Sequence, residues 1–214
     1  MHEVDVVAVL ADPVRRDLYE YVADAGHEVG RAEAADALGV ARTLAAFHLD
    51  KLVDAGLLEV AHRRLTGRSG PGAGRPAKVY RVAVREHLAS VPPRDYRGLA
   101  MLLAEAVEAV GAEEALKAAA QRVPADPREP AEVLAERGYR PYRDGGVIRS
   151  RNCPFRALSE EFPVLVCAMN HALIGALLGG GARVRLDPRP GECCVVVEKS
   201  KNNPIDIEAR TVIC

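Results

Sequence analysis

The chain has 214 residues, 49% of them hydrophobic, and its 29 Lys and Arg against 30 Asp and Glu leave a net charge of −1. That length has room for two modest domains with real cores, and that charge excludes a protein that holds polyanions by its overall field. The apolar segment 163–178 is interrupted by Asn170 and His171 and is too short for a membrane span. The start, Met1-His-Glu-Val-Asp, has neither a basic head nor a signal-peptide core, so the expected compartment is the cytoplasm. Five cysteines there are expected to be thiols or ligands rather than a disulfide framework. With no Trp and 4% aromatics, the composition argues against stacking on single-stranded bases.

Residues 4–10 read as a short amphipathic helix. Asp12 then caps a second helix with Pro13 at its first position, and Val14, Leu18, Tyr21 and Val22 form its buried face. After Gly26, two helices are predicted over 31–38 and 41–55, joined by a tight turn at Gly39, the second stopped by Gly56. On that second helix Ala45, Leu49, Leu52 and Val53 repeat at spacings of three and four. The opposite face starts with Arg42, Thr43 and Ala46, an arginine beside small residues, which suits close approach to base edges in a major groove.

Glu59-Val-Ala-His and Lys78-Val-Tyr-Arg-Val-Ala83 predict two strands around a Gly/Pro/Arg tip, a hairpin wing. Between residues 61 and 85 lie Arg63, Arg64, Arg68, Arg75, Lys78, Arg81 and Arg85, with no Asp or Glu. A basic hairpin beside a reading helix is the footprint of phosphate contacts to double-stranded DNA. The Gly74-Arg75-Pro76 tip also suits entry into a minor groove. DNA binding is therefore expected of Arg42, Thr43, Ala46, Arg63, Arg64, Arg68, Arg75 and Lys78.

Leu10-Ala-Asp-Pro-Val-Arg-Arg-Asp-Leu-Tyr-Glu-Tyr-Val22, followed by His48-Leu49-x-x-Leu52-x-x-Ala55-Gly56-Leu57, resembles the winged-helix repressors of the ArsR class. The resemblance covers roughly the first eighty-five residues. It implies a dimeric bacterial transcription factor on a near-palindromic operator.

Val91-Pro92-Pro93 reads as a stiff break. We expect a winged helix-turn-helix domain over 1–92, a long linking and dimerisation helix over 93–124, and a cysteine-rich α+β domain over 125–214. Asp95 caps the long helix, predicted over 96–122, whose Leu99, Leu102, Leu103, Ala106, Val107 and Val110 recur at helical spacing. A dimer is expected because readers of this type need a partner to span two half-sites. A short helix over 131–137 follows. Strands over 139–142 and 147–151 flank an Asp144-Gly145-Gly146 turn. Helices are predicted over 158–162 and 163–178, and strands over 182–187 and 192–198. The tail, 203–214, is expected to add one more strand.

Metal-type ligands are densest at Asn152-Cys153-Pro154, at Cys167-Ala-Met-Asn-His171 and at Glu192-Cys193-Cys194. Cys167 and His171, four apart on one helix, point the same way. Cys193 and Cys194, adjacent in a predicted strand, face opposite sides, so only one joins a site easily, with Cys193 favoured if the apolar side is inward. Three thiolates and an imidazole from separate elements satisfy a four-ligand metal or cluster site. The plainer alternatives are small buried cysteines, a hydrogen-bonded core histidine, and a Cys214 outside any site.

The order Asn-Cys-Pro, a helix entered through Phe-Pro and carrying Cys, then Gly-Glu and a Cys in a hydrophobic strand, resembles the sensor half of SufR-type iron–sulfur repressors over approximately 131–199. That resemblance implies an iron–sulfur cluster on Cys153, Cys167 and Cys193. His171 and the doubled Cys193-Cys194 depart from it and keep zinc as the alternative. Three functions follow: a DNA-binding regulator switched by a cluster, one with structural or sensed zinc, or a thiol enzyme using Cys167 with His171 as base or Cys193-Cys194 as a redox pair. The enzyme needs a group to orient His171 and an oxyanion site; beyond Asn170, which as the adjacent helix residue does not face His171, none presents itself, so no catalytic activity is expected.

Overall fold

A computed structural model describes residues 3–63, 76–179 and 182–199. The chain divides into two compact units, 1–94 and 95–214.

The first unit opens with α1 (Glu3–Ala8), a 3-10 turn (Val9–Ala11) and α2 (Pro13–Ala25). Asp12 caps α2 by accepting from the Arg15 N–H at 2.9 Å, with Pro13 at its first position, as the sequence predicts. A two-residue strand, β1 (Val29–Gly30), leads into α3 (Arg31–Leu38) and α4 (Arg42–Asp54). Gly39, at φ 65°, makes the turn between them in a conformation that costs a side chain-bearing residue energy. The wing strands are β2 (Leu58–Arg63) and β3 (Ala77–Val82), paired antiparallel from Leu58↔Val82 to Arg63↔Ala77. The sequence reading missed β1, which pairs with β3 through Val29↔Tyr80 and makes the sheet order β1-β3-β2. Leu18, Val22, Val29, Ala45, Leu49, Leu52, Leu58 and Tyr80 form one core under both. The wing tip, with Arg64, Arg68 and Arg75, lies outside the described residues.

The second unit contains α5 (Tyr96–Ala109), α6 (Glu113–Gln121), α7 (Pro130–Glu136), β4 (Pro141–Asp144), β5 (Val147–Ser150), α8 (Arg156–Glu161), α9 (Pro163–Leu177), β6 (Ala182–Leu186) and β7 (Val195–Lys199). Its sheet is antiparallel in the order β4-β5-β7-β6. α9 lies between α6 on one side and β6 and β7 on the other. Val133, Leu134, Ile148, Ile174, Leu177, Val195 and Val197 form the core.

Two expectations need correction. The long helix over 96–122 is two helices. Gly111 turns left-handed at φ 63°, its N–H bonds Glu108 O at 3.1 Å, and the Ala112 N–H bonds Val107 O at 3.0 Å. That pair of bonds closes α5 with a Schellman motif, and Glu113 and Glu114 then open α6. An Ala-rich periodic run hid a glycine stop. The late strand also starts at Val195 rather than Glu192. Cys193 and Cys194 therefore sit in the turn before it, where strand alternation does not apply. Alternation fails inside β7 as well, because Val195, Val196 and Val197 are all buried in a strand flanked by β5 and β6. The expected strand at 203–214 lies outside the described residues.

Candidate nucleic-acid interface and thiol cluster

On α4 the residues turned into the core are Ala45, His48, Leu49 and Leu52. Arg42, Thr43 and Phe47 are exposed on the other side and Ala46 is half-buried. The Arg42 side chain is 71% exposed, and its guanidinium lies 3.9 Å from the Asp36 carboxylate. Phe47, 55% exposed, rests edge-on against the His48 ring, centroids 5.2 Å apart. The sequence reading missed Phe47.

Asp50 is the fixed point of this face. Its carboxylate receives Arg31 Nη2 at 2.7 Å, the Tyr80 hydroxyl at 2.8 Å and Lys78 Nζ at 3.0 Å. Arg31 Nε also donates to the Tyr80 oxygen at 2.7 Å. Helix α3, the outward helix α4 and strand β3 are thus tied at one carboxylate. Partial burial pushes Asp50 up, but hydrogen bonds from Tyr80, Lys78 and Arg31 outweigh it and leave its pKa below the ordinary value. Burial, and then the bond to Asp50, push Tyr80 up to about 12.

The described basic residues of the wing and just after it are paired. Arg63 grips Glu28 through two bonds of 2.7 and 2.8 Å, Arg81 holds Glu59, and Arg85 meets Glu3 at 3.0 Å. The segment 61–85 is free of acid, yet Glu59 of β2 and Glu3 and Glu28 from elsewhere in the unit reach its cations. Exposed pairs of this kind are worth little, so a phosphate can replace the carboxylate partner at small cost.

In the second unit Cys153, Cys193 and Cys194 come together. Cys193 is 1% exposed in the core cluster against which Cys153 and Cys194 pack, and the neighbouring thiols and burial leave its pKa above the ordinary value. Asn170 of α9 donates to Cys193 Sγ at 3.4 Å and accepts from the Tyr139 hydroxyl. The bond to Cys193, followed by burial, pushes the Cys153 thiol well up. Burial, then the neighbouring Cys193, does the same to Tyr139. Asn152 explains its place beside Cys153: its side chain accepts from the Arg140 N–H at 2.6 Å and donates to Gly138 O at 2.8 Å. The turn carrying Cys193 is pinned by the Cys193 N–H to Ser150 O, at 3.0 Å, and by the Asp187 N–H to Cys194 O, at 2.7 Å. Buried Arg149, next to Ser150, holds Asp187 of the same turn and reaches Asp144 at 3.2 Å. A buried guanidinium needs such acceptors on several sides.

The other two expected ligands stand differently. His171 Nε2 lies 3.1 Å from Val184 O, the hydrogen-bonded core arrangement. Cys167 is half-buried one helical turn before Asn170. Among the described residues, no group of three or more His, Cys, Asp or Glu is arranged to hold a metal ion. Cys214 lies outside the described residues. Asn170 and Tyr139, which complete the surroundings of the thiols, were absent from the sequence-based set.

Comparison with known families matches residues 10–61 to a helix-turn-helix domain. The match runs from the turn before α2 through α3 and α4 into β2, and so contains the whole outward face of α4. No curated protein and no solved structure matches the chain. A helix-turn-helix domain in a mixed helix-and-sheet chain suggests a DNA-binding transcriptional regulator. Among the described residues no helix is long and apolar enough to cross a membrane.

Proposed function

We propose that the chain is a dimeric transcriptional regulator that reads a near-palindromic operator with α4 and carries a thiol-ligated cofactor in its second unit. The observation that carries the first part is the outward face of α4: Arg42 and Thr43 are exposed, with half-buried Ala46 beside them, within a matched helix-turn-helix. Arg42 serves as the base-reading cation, and Arg63 and Lys78, with Arg64, Arg68 and Arg75 of the tip, serve as phosphate contacts. Support for the dimer comes from α5, where Tyr96, Leu99, Leu102 and Leu103 are all more than half exposed on one helix.

For the cofactor, the donor chemistry fits an iron–sulfur cluster better than zinc with a histidine ligand. The residues drawn together are soft thiols in an apolar core, while the His171 ring is engaged with a backbone carbonyl. Cys153, Cys193 and Cys194 would hold the group, with Cys167 the nearest further thiol on α9. Bound there, a cluster supplies redox sensitivity. The chain's own part is to hold Cys193 in the apolar core and to fix its turn through Arg149 and Asn170. Metal binding then requires proton release from these thiols.

The experiment is operator selection from a random duplex library, followed by affinity measurements on Arg42→Ala. We expect lost discrimination at one base position per half-site, about 1–3 kcal/mol. Unchanged sequence preference in Arg42→Ala would remove α4 as the reader. Visible absorption of protein prepared without air, beside its zinc content, decides between cluster and zinc.

A further inference from the structure

We infer that Phe47 is a specificity-determining residue that reads the C5-methyl group of a pyrimidine in the major groove, thymine in unmodified DNA. The inference rests on the DNA-reading role of α4 proposed above.

At 100° per residue, Thr43 and Phe47 lie one turn apart near the middle of the face opposite Ala45, Leu49 and Leu52. Ala46 stands beside them, and the next outward residue, Asp50, is already engaged by Arg31, Lys78 and Tyr80. The centre of the face is therefore a methyl, a methyl-bearing hydroxyl and an aromatic ring, with the long donor Arg42 at its start. This part of the face has no Asn or Gln to pair with adenine. The one apolar group that an unmodified base pair presents in the major groove is the thymine methyl, and it alone matches this chemistry.

The ring is also positioned. Leaving a large aromatic 55% exposed forfeits its hydrophobic gain, yet Phe47 sits against the buried His48 ring at an interplanar angle of 72°. That contact covers part of the ring, and the exposed remainder is available for a methyl to pack against. 5-Methylcytosine carries the same methyl at the same place, so two bases share this chemistry.

The test uses the full chain and its selected operator, with each thymine replaced in turn by deoxyuridine, which removes only the methyl. At one or more positions per half-site, wild-type affinity should fall about fourfold, the worth of one buried methyl. Phe47→Ala should bind the thymine operator more weakly and be indifferent to the same replacement, while Phe47→Leu should keep part of the sensitivity. Unchanged helicity and melting of both variants would exclude misfolding. A further operator, with cytosine or 5-methylcytosine at the sensitive position, separates the two sources. Recovery with 5-methylcytosine shows that the methyl alone is read, and thymine-only recovery assigns the contact to the T·A pair. Wild type indifferent to every replacement, or Phe47→Ala with the wild-type loss, would overturn the inference while leaving α4 a DNA reader. Failure to enrich any duplex would instead remove the DNA-reading role itself.

Discussion

Asp50 and Asn170 are the polar residues on which the two candidate sites turn. Asp50 collects three donors from two other elements, with its side chain 41% exposed. Asp50→Asn should cost about 1 kcal/mol in a denaturant titration, the discounted worth of partly exposed charge-assisted bonds. Its pKa is lowered on folding, so its contribution is present above the ordinary carboxylate value and lost as pH falls through the lower folded value. Tyr80 works in the other direction. Raised to about 12, it stabilises the fold fully below pH 10 and loses that contribution as pH rises toward 12. Ultraviolet titration of wild type against Tyr80→Phe should therefore show one tyrosinate forming near pH 12; formation near 10 would contradict the tether. Asn170 is 1% exposed and bridges Tyr139 to Cys193. Asn170→Ala should destabilise the second unit by about 1–3 kcal/mol, because the Tyr139 hydroxyl is left buried without its acceptor. A melting curve equal to wild type would show the bridge to be idle. Neither residue was legible in the sequence as a site. An asparagine in an apolar helix reads only as an interruption, and Tyr139, 31 residues away, meets it through the fold. Arg42, Thr43 and Ala46 were legible because helical periodicity alone separates an outward from an inward face.

At the scale of elements, what was legible depended on local signals. Asp12-Pro13, Gly39 and the Gly145-Gly146 turn each carry their conformation in the residues themselves, and α2, α3 and α4 stand where expected, while β4 lies at Pro141–Asp144, two residues later than the predicted 139–142. Strand β1 has two residues and exists through pairing with β3, so no local pattern announced it. The break at Gly111 was present as a signal and masked by its Ala-rich surroundings. It matters for the proposed assembly, since α6 packs on α9 while α5 leaves Tyr96, Leu99, Leu102 and Leu103 exposed. Leu103, 58% exposed, lies in that face. Leu103→Asp should leave the fold intact and yield monomers with poor operator binding, because an interface cannot bury an unpaired carboxylate cheaply. Sedimentation that finds the dimer intact would move the interface away from α5.

For the whole molecule, a net charge of −1 hides a division of labour. Basic residues gather on one hairpin, and four of the five cysteines fall between residues 153 and 194. The sequence offered five candidate ligands, and the fold draws Cys153, Cys193 and Cys194 together while engaging His171 with Val184. Sequence order could not choose among them, because the turn holding Cys193 and Cys194 is set by Arg149, Asp187 and Ser150 at a distance. If the group held by the second unit's thiols switches the proposed reading unit, operator affinity must depend on that group. The measurement that tests it most directly is operator affinity of the full chain with its thiol-bound group and without it, side by side at one salt concentration. We predict a difference of about tenfold or more, within the usual range of coupling between sites. That difference should be abolished in Cys153→Ser and retained in Cys214→Ser. Equal affinity in the two states, with the fold intact in both, would contradict the account and leave the thiols a structural part of the second unit.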